Sequence, residues 1–275
     1  MRRLFLSAVL ALTVMAGFTS ARAQAPQQQT SKDGAGAPVD VNRIVRAFTA
    51  KETEFRRALN QYTFTREAVV QTIGWGGQVT GEYDRTSVFV FNDAGERFER
   101  ITHFPVPTLT EISFTQEDLE DLGGVQPFAL EASKIDKYNF TYAGREKVDE
   151  LDTYVFDVAP KVMPKKESQR FFQGRVWVDA ADLQIVKVKG KGVPEGKQRF
   201  PLFETYREQI DGKYWFPTYT YADDDLVFEG GQVTHIRMKV RYTDYKLFKG
   251  SVRVIEEGDP GDTNEPARPP SRPKP

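Results

Sequence analysis

The chain contains no cysteine. That excludes disulfides, thiol nucleophiles and cysteine-ligated metals. It has only 2 histidines, His103 and His235, in 275 residues. Neither has the clustered His, Asp or Glu neighbours that a zinc site needs, so both read as partly exposed strand residues. Catalytic signatures are missing too: there is no G-x-S-x-G elbow, no G-x-x-x-x-G-K-[ST] loop and no G-x-G-x-x-G behind a strand. Asp223-Asp224-Asp225 lacks the alternating acids, central glycine and terminal glutamate of a calcium loop, and reads as a solvated hairpin turn. The 39 acidic residues offer many carboxylate pairs but single out none. The expectation is a non-catalytic protein with no cofactor.

Long apolar runs are as scarce. The one that stands out follows Arg2 and Arg3 and extends from Leu4 to Phe18, ahead of Ala21-Arg22-Ala23 and Gln24. A positive start, an apolar stretch and an A-x-A site make residues 1–23 a cleavable secretory signal. The run is too short to span a bilayer comfortably. No cysteine follows it, so a lipid anchor is excluded. Two arginines alone do not make a twin-arginine signal, so general secretion is expected. A cysteine-free domain fits a periplasm better than a eukaryotic secretory route. Losing Arg2, Arg3 and Arg22 from the 38 basic residues leaves 35 against 39 acidic ones, a net of −4. That balance gives no reason to expect nucleic acid as a partner.

Residues 24–38, rich in Gln, Gly and Pro, read as a flexible leader. Residues 251–275, with prolines from Pro260 to Pro275, read as a disordered tail. The folded domain is then 39–250. It opens with a helix in which Val41, Ile44, Val45, Phe48, Phe55 and Leu59 form one apolar stripe behind Asp40. Arg43, Arg46, Lys51, Glu52, Glu54 and Arg56 are assigned to its other face. The period then changes to two. Tyr62, Phe64, Ala68 and Val70 share one side of a strand, interrupted by Arg66. Gly74-Trp75-Gly76-Gly77 is a turn, Phe89 and Phe91 share a face, and Asn92–Gly95 closes a hairpin to a strand carrying Phe98, Arg100 and Thr102. Thr115 to Gly124 reads as a short capped helix and Pro127 to Ala132 as another helical turn. A long run of strands follows, from Tyr138 to Tyr245, with the turn at Asp211-Gly212 the clearest. About nine strands joined by short turns favour an antiparallel meander.

Aromatic residues are concentrated in these strands. Phe48, Phe64, Ala68, Phe89, Phe91, Phe140, Tyr142, Phe156, Trp177, Trp215 and Met238 are the candidates to line an apolar cavity in a curved sheet. The alternative at each is ordinary core. Basic residues recur at Lys161, Lys165, Lys166, Arg170, Lys187, Lys189, Lys191, Lys197 and Arg199, and read as a solvated sheet edge, the alternative being a positive rim for anionic head groups.

Three segments resemble the periplasmic lipoprotein-carrier superfamily, with its LolA-, LolB- and RseB-like members. Ala143 to Phe156 is similar to that family's G-x-E-x-V-x-G-x-x-x-Y strand pair. Val176-Trp177-Val178-Asp179 with Asp182 to Lys187 is similar to its W-v-D hairpin, and Asp211 to Pro217 to its dGkywfP segment. The resemblance implies a mainly β (α+β) fold: a curved, unclosed antiparallel half-barrel. An N-terminal helix and a small helical insertion would cover its concave face. It implies binding of acyl chains or a lipidated protein without catalysis, or, alternatively, an envelope sensor or assembly module that docks an inner- or outer-membrane protein.

Overall fold

The computed structural model describes residues 39–114, 129–165, 170–196 and 199–248. Compactness divides the chain into residues 1–41 and 42–275. Of the first unit only 39–41 are described, and the architecture below is that of the second. Residues 1–38 and 249–275, and with them the expected signal, leader and tail, lie outside the described residues, as do Thr115 to Gly124.

Helix α1 (Val41–Leu59) ends with Arg56 and Arg57 in its last turn, where cations suit the negative end of the helix dipole. Ten strands follow, one more than the pattern predicts. They are β1 (Tyr62–Ile73), β2 (Val79–Phe91), β3 (Arg97–His103), β4 (Tyr138–Val148), β5 (Leu151–Pro160), β6 (Phe171–Asp179), β7 (Ile185–Val193), β8 (Phe203–Ile210), β9 (Tyr214–Val227) and β10 (Val233–Leu247). All pair antiparallel in one sheet of order β3-β2-β1-β10-β9-β8-β7-β6-β5-β4, which is not closed into a barrel. Every neighbour is sequential except β1 and β10, which run together from Tyr62↔Leu247 to Ile73↔His235.

The turns follow from residues that accept positive φ. Asp211 (φ 53) and Gly212 (φ 65) take the two central positions of the turn between β8 and β9, closed by the Lys213 N–H donating to the Ile210 carbonyl at 3.1 Å, the mirror-image turn whose twist matches the flanking strands. Asp149 (φ 51) serves the β4–β5 turn in the same way.

The sheet curls around α1. Ten strands laid flat span about 43 Å. Yet both edge strands reach one helix. Phe140 on β4 meets Phe48, with ring centroids 5.6 Å apart, and Arg97 on β3 donates to the Leu59 carbonyl at 2.7 Å. Those two helix positions are only about 16 Å apart along the axis. Ile44, Phe48, Phe55 and Leu59 are all buried, as the stripe requires.

Local packing explains two sequence details. Gly174 and Gly190 face each other across β6 and β7. The Phe172 ring occupies the space a Cβ would take at either position. Asp179 accepts from the backbone N–H groups of Ala181 and Asp182, which fixes the β6–β7 connection.

Several expectations need correction. Asp223–Asp225 is not a turn: it lies within β9, and the hairpin turn comes later, near Gly231 (φ 81). The β3 residues that face the helix side are Arg97 and Glu99, while Phe98 is 45% exposed. Lys187, Lys189 and Lys191 are on β7, an interior strand rather than an edge. Lys187 and Lys189 pair with Glu204, and Lys191 with Glu195. Of the helical insertion, residues 129–131 are irregular and a 3-10 turn runs Ala132–Lys137. Among the described residues no helix is long and apolar enough to cross a membrane.

Candidate functional site

The face of the sheet that carries α1 collects nine of the eleven candidates. At one end, Phe48 sits 5.6 Å from both Phe140 and Phe156, and Tyr142 lies 5.5 Å from Phe156. At the other end, Phe64 stacks on Phe89 at 4.5 Å. Ala68 and Met238 join the same cluster, with Phe55, Leu59, Tyr62, Phe216 and Val240. Phe91 extends this face and stacks on Phe248 at 4.2 Å. Phe48, Phe64, Ala68, Phe89 and Phe156 are buried, and Phe91, Phe140, Tyr142 and Met238 half-buried. The side chains that would line a cavity are packed on one another and on α1.

Trp177 and Trp215 are not among them. The pairing of Val155 with Trp177 and of Phe156 with Val176 puts the indole on the face away from α1. There Trp177 packs with Val155, Val186 and Trp215. Each indole donates to a carboxylate, Trp177 to Glu146 at 2.7 Å and Trp215 to Asp182 at 2.8 Å. They belong to a second small core on the outer face. The physical reason is that near this cluster β5 to β7 bury successive residues on both faces, Val155 and Phe156, Val176 to Val178, Ile185 and Val186, so aromatic character does not reveal which face a residue takes.

Five contacts hold α1 in place. Glu52, assigned above to the exposed face, is 2% exposed and lies on the apolar stripe between Phe48 and Phe55. Its carboxylate accepts from Arg207 Nη1 at 2.6 Å and Nη2 at 3.0 Å, a bidentate pair. The Arg207 guanidinium lies over the Phe55 ring at 4.6 Å. Arg97 donates to the Leu59 carbonyl at 2.7 Å and to Asn60 at 3.2 Å, so a β3 cation satisfies the helix end. Burial lowers its pKa. Arg56 pairs with Glu131 at 2.7 Å, and the Ala132 N–H donates to Thr53 at 3.1 Å. The described part of the insertion therefore rests on the helix.

A second charged group is set in the same face. Arg66 does not interrupt the strand pattern: it is 1% exposed and shares the face of Phe64 and Ala68. It pairs with Glu99 at 2.9 Å, and Arg85 holds the other oxygen of that carboxylate at 2.7 Å. The Arg66 guanidinium lies over Phe89 at 5.1 Å. Burial lowers its pKa, against the pull of Glu99. Burial also pushes the neighbouring Tyr242 phenol up to about 12. Sequence reasoning missed Arg66, Arg97, Glu99, Glu52 and Arg207. The available signal was register: Glu52 stands four residues after Phe48, and Arg66 two after Phe64.

The outer face is polar apart from the tryptophan cluster. Burial would raise Glu204, but hydrogen bonds from Lys189, Lys187 and Tyr206 bring it down to about 2. His235 sits between Asp225 at 2.7 Å and Asp223 at 2.6 Å, with Arg237 on Asp223 at 3.1 Å. His235 is thus a partly exposed strand residue, as the pattern predicts, with both ring nitrogens engaged. An open depression of about 410 Å³ lies over β4 to β7, bordered by Asn139, Thr141, Gln173 and the paired Asp157 and Arg175. Among the described residues no group of His, Asp and Glu side chains could hold a metal ion.

No family model matches the chain, and no curated protein matches it. Solved structures do. A DUF1329 family protein from Desulfovibrio piger is 17% identical, with 76% of this chain and 95% of that one covered and a TM-score of 0.39. A LolA superfamily protein from Nitrosomonas europaea is 13% identical, covering 73% and 94%, with a TM-score of 0.31. The MucA/MucB complex of Pseudomonas aeruginosa is 11% identical, covering 70% and 92%, with a TM-score of 0.22.

Proposed function

We propose that this chain is a non-catalytic periplasmic carrier that holds the acyl chains of a lipid or lipidated protein between α1 and the curled sheet. The observation that supports this reading is the aromatic face itself. Eight candidate residues of the sheet share the face that carries α1, and Phe48 meets them from the helix, in a sheet whose two edges are not joined. Because those side chains fill the space, loading requires α1 to lift and an acyl chain to replace its apolar stripe. Each methylene buried is worth about 0.8 kcal/mol, so a chain of about a dozen carbons supplies roughly 10 kcal/mol. The opened helix contacts and the ordering of ligand and protein offset much of that. Export by residues 1–23, a leader at 24–38, a single domain at 39–250 and a tail at 251–275 complete the proposal. Intact mass of the exported protein, starting at Gln24, tests the first of these.

Native mass spectrometry of the protein purified from a periplasm tests the carrier role. It should carry an acyl-containing adduct that delipidation removes and fatty acid restores. Bare protein that takes up no fatty acid of any chain length contradicts it. A second reading, docking of an envelope protein, is favoured by one feature. The edge strand β3 exposes Phe98 (45%) and Ile101 (48%) beside a backbone edge that pairs with no strand among the described residues, a template for strand addition. Co-purification of a polypeptide in place of lipid would favour it.

A further inference from the structure

Arg66 is set between Phe64 and Ala68 on β1, inside the aromatic cluster beneath α1. Its Nη2 donates to Glu99. Its Nε and Nη1 are equally buried and meet no acceptor among the described residues. A guanidinium presents five N–H donors in a rigid fork, and leaving charged donors buried and unmet is costly. The groups around it do not meet that need. Glu99 from β3 is shared with Arg85, whose Nε donates to Ser87 at 3.4 Å. From β10 comes the phenol of Tyr242, and from β2 the Phe89 ring and Tyr83. Two guanidiniums against one carboxylate leave a net positive charge here, while the other charged groups of this face are engaged elsewhere, Arg97 with the Leu59 carbonyl and Arg207 with Glu52. An arginine fork with open donors matches the planar carboxylate or the oxygens of a phosphate.

We infer that Arg66, with Arg85 beside it, receives the anionic head group of a single-chain amphiphile, a carboxylate or a phosphate, whose tail lies along the aromatic face. The inference rests on the acyl-chain reading and names the class of ligand. The test uses the delipidated full-length mature protein and three chain-matched compounds below their micelle concentrations: dodecanoate, dodecyl phosphate and dodecanol. Each displaces a fluorescent fatty-acid analogue. The expected result is that the better of the two anions binds about ten- to hundredfold tighter than dodecanol. The identity of that anion decides between carboxylate and phosphate. Arg66→Gln should bring the ratio close to one while dodecanol binding is unchanged. If that variant does not fold, Arg85→Gln, at a side chain 15% exposed, should reduce the ratio severalfold. Equal binding of all three compounds by the parent protein overturns the inference and leaves the carrier reading standing. So does a preference that survives the folded variant. If none of the three binds, the carrier reading itself fails, and this inference fails with it.

Discussion

Glu52→Gln removes one partner from the ion pair that pins the middle of α1. Both side chains are almost fully withdrawn from solvent, at 3% for Glu52 and 2% for Arg207. The amide can still accept one hydrogen bond, but the Arg207 charge loses its counter-ion in a poorly solvated site. Breaking a buried pair in this way costs about 3–5 kcal/mol, a large share of the roughly 5–15 kcal/mol that a domain has in total. For a domain of this size that is a fall in Tm of roughly 6–20 °C. Arg207→Met should cost a similar amount, because it strands the carboxylate. The double variant Glu52→Leu with Arg207→Met leaves no buried charge, so its loss should fall well short of the two single losses combined. Urea denaturation of the four proteins, with m-values compared, completes the cycle. Single losses below about 1 kcal/mol that simply add would mean that the pair is solvated and that α1 does not lie on the sheet as described.

Three further outcomes follow from the packing and electrostatics. Phe48→Ala empties the aromatic contacts with Phe140 and Phe156 and should cost about 3–5 kcal/mol in chemical denaturation. Gly190→Ala puts a Cβ into the Phe172 ring and the Gln173 carbonyl, and should cost about 1–3 kcal/mol by the same assay. The hydrogen bond to Asp225, with that to Asp223, holds the His235 pKa above its ordinary 6.5, while partial burial lowers it. A raised folded pKa makes this contribution complete below the unfolded value and lost as pH rises through the folded one. An NMR titration should place His235 above 6.5, and Asp225→Asn should move it back down. A His235 titrating below that value would show that the two aspartates do not hold it.

The legible parts of this fold were those with a local cause. The α1 stripe from Ile44 to Leu59 is set by the 3.6-residue period. The β8–β9 turn is set by the tolerance of Asp211 and Gly212 for positive φ. The pairing of β1 with β10 has no local signal, because Tyr62 and Leu247 stand at opposite ends of the domain. Charge misled at two positions. Glu52 and Arg66 read as solvent-facing or as interruptions because a lone charge on an apolar face is costly. Only the fold brings Arg207 and Glu99 to them. Trp177 misled in the opposite sense. Residues 176–179 are buried without alternation, so the period that assigns a face is absent, and only the register with Val155 assigns it.

Photo-crosslinking tests the central claim most directly. A fatty acid carrying a diazirine at mid-chain is bound to the delipidated protein, irradiated, and its attachment sites are read by peptide mass spectrometry. The account predicts labels on the helix-bearing face, at Phe48, Phe64, Phe89, Phe156 or Met238 and their neighbours, all competed away by unlabelled dodecanoate. Labels confined to the outer face around Trp177 and Trp215, or none that compete, would contradict it.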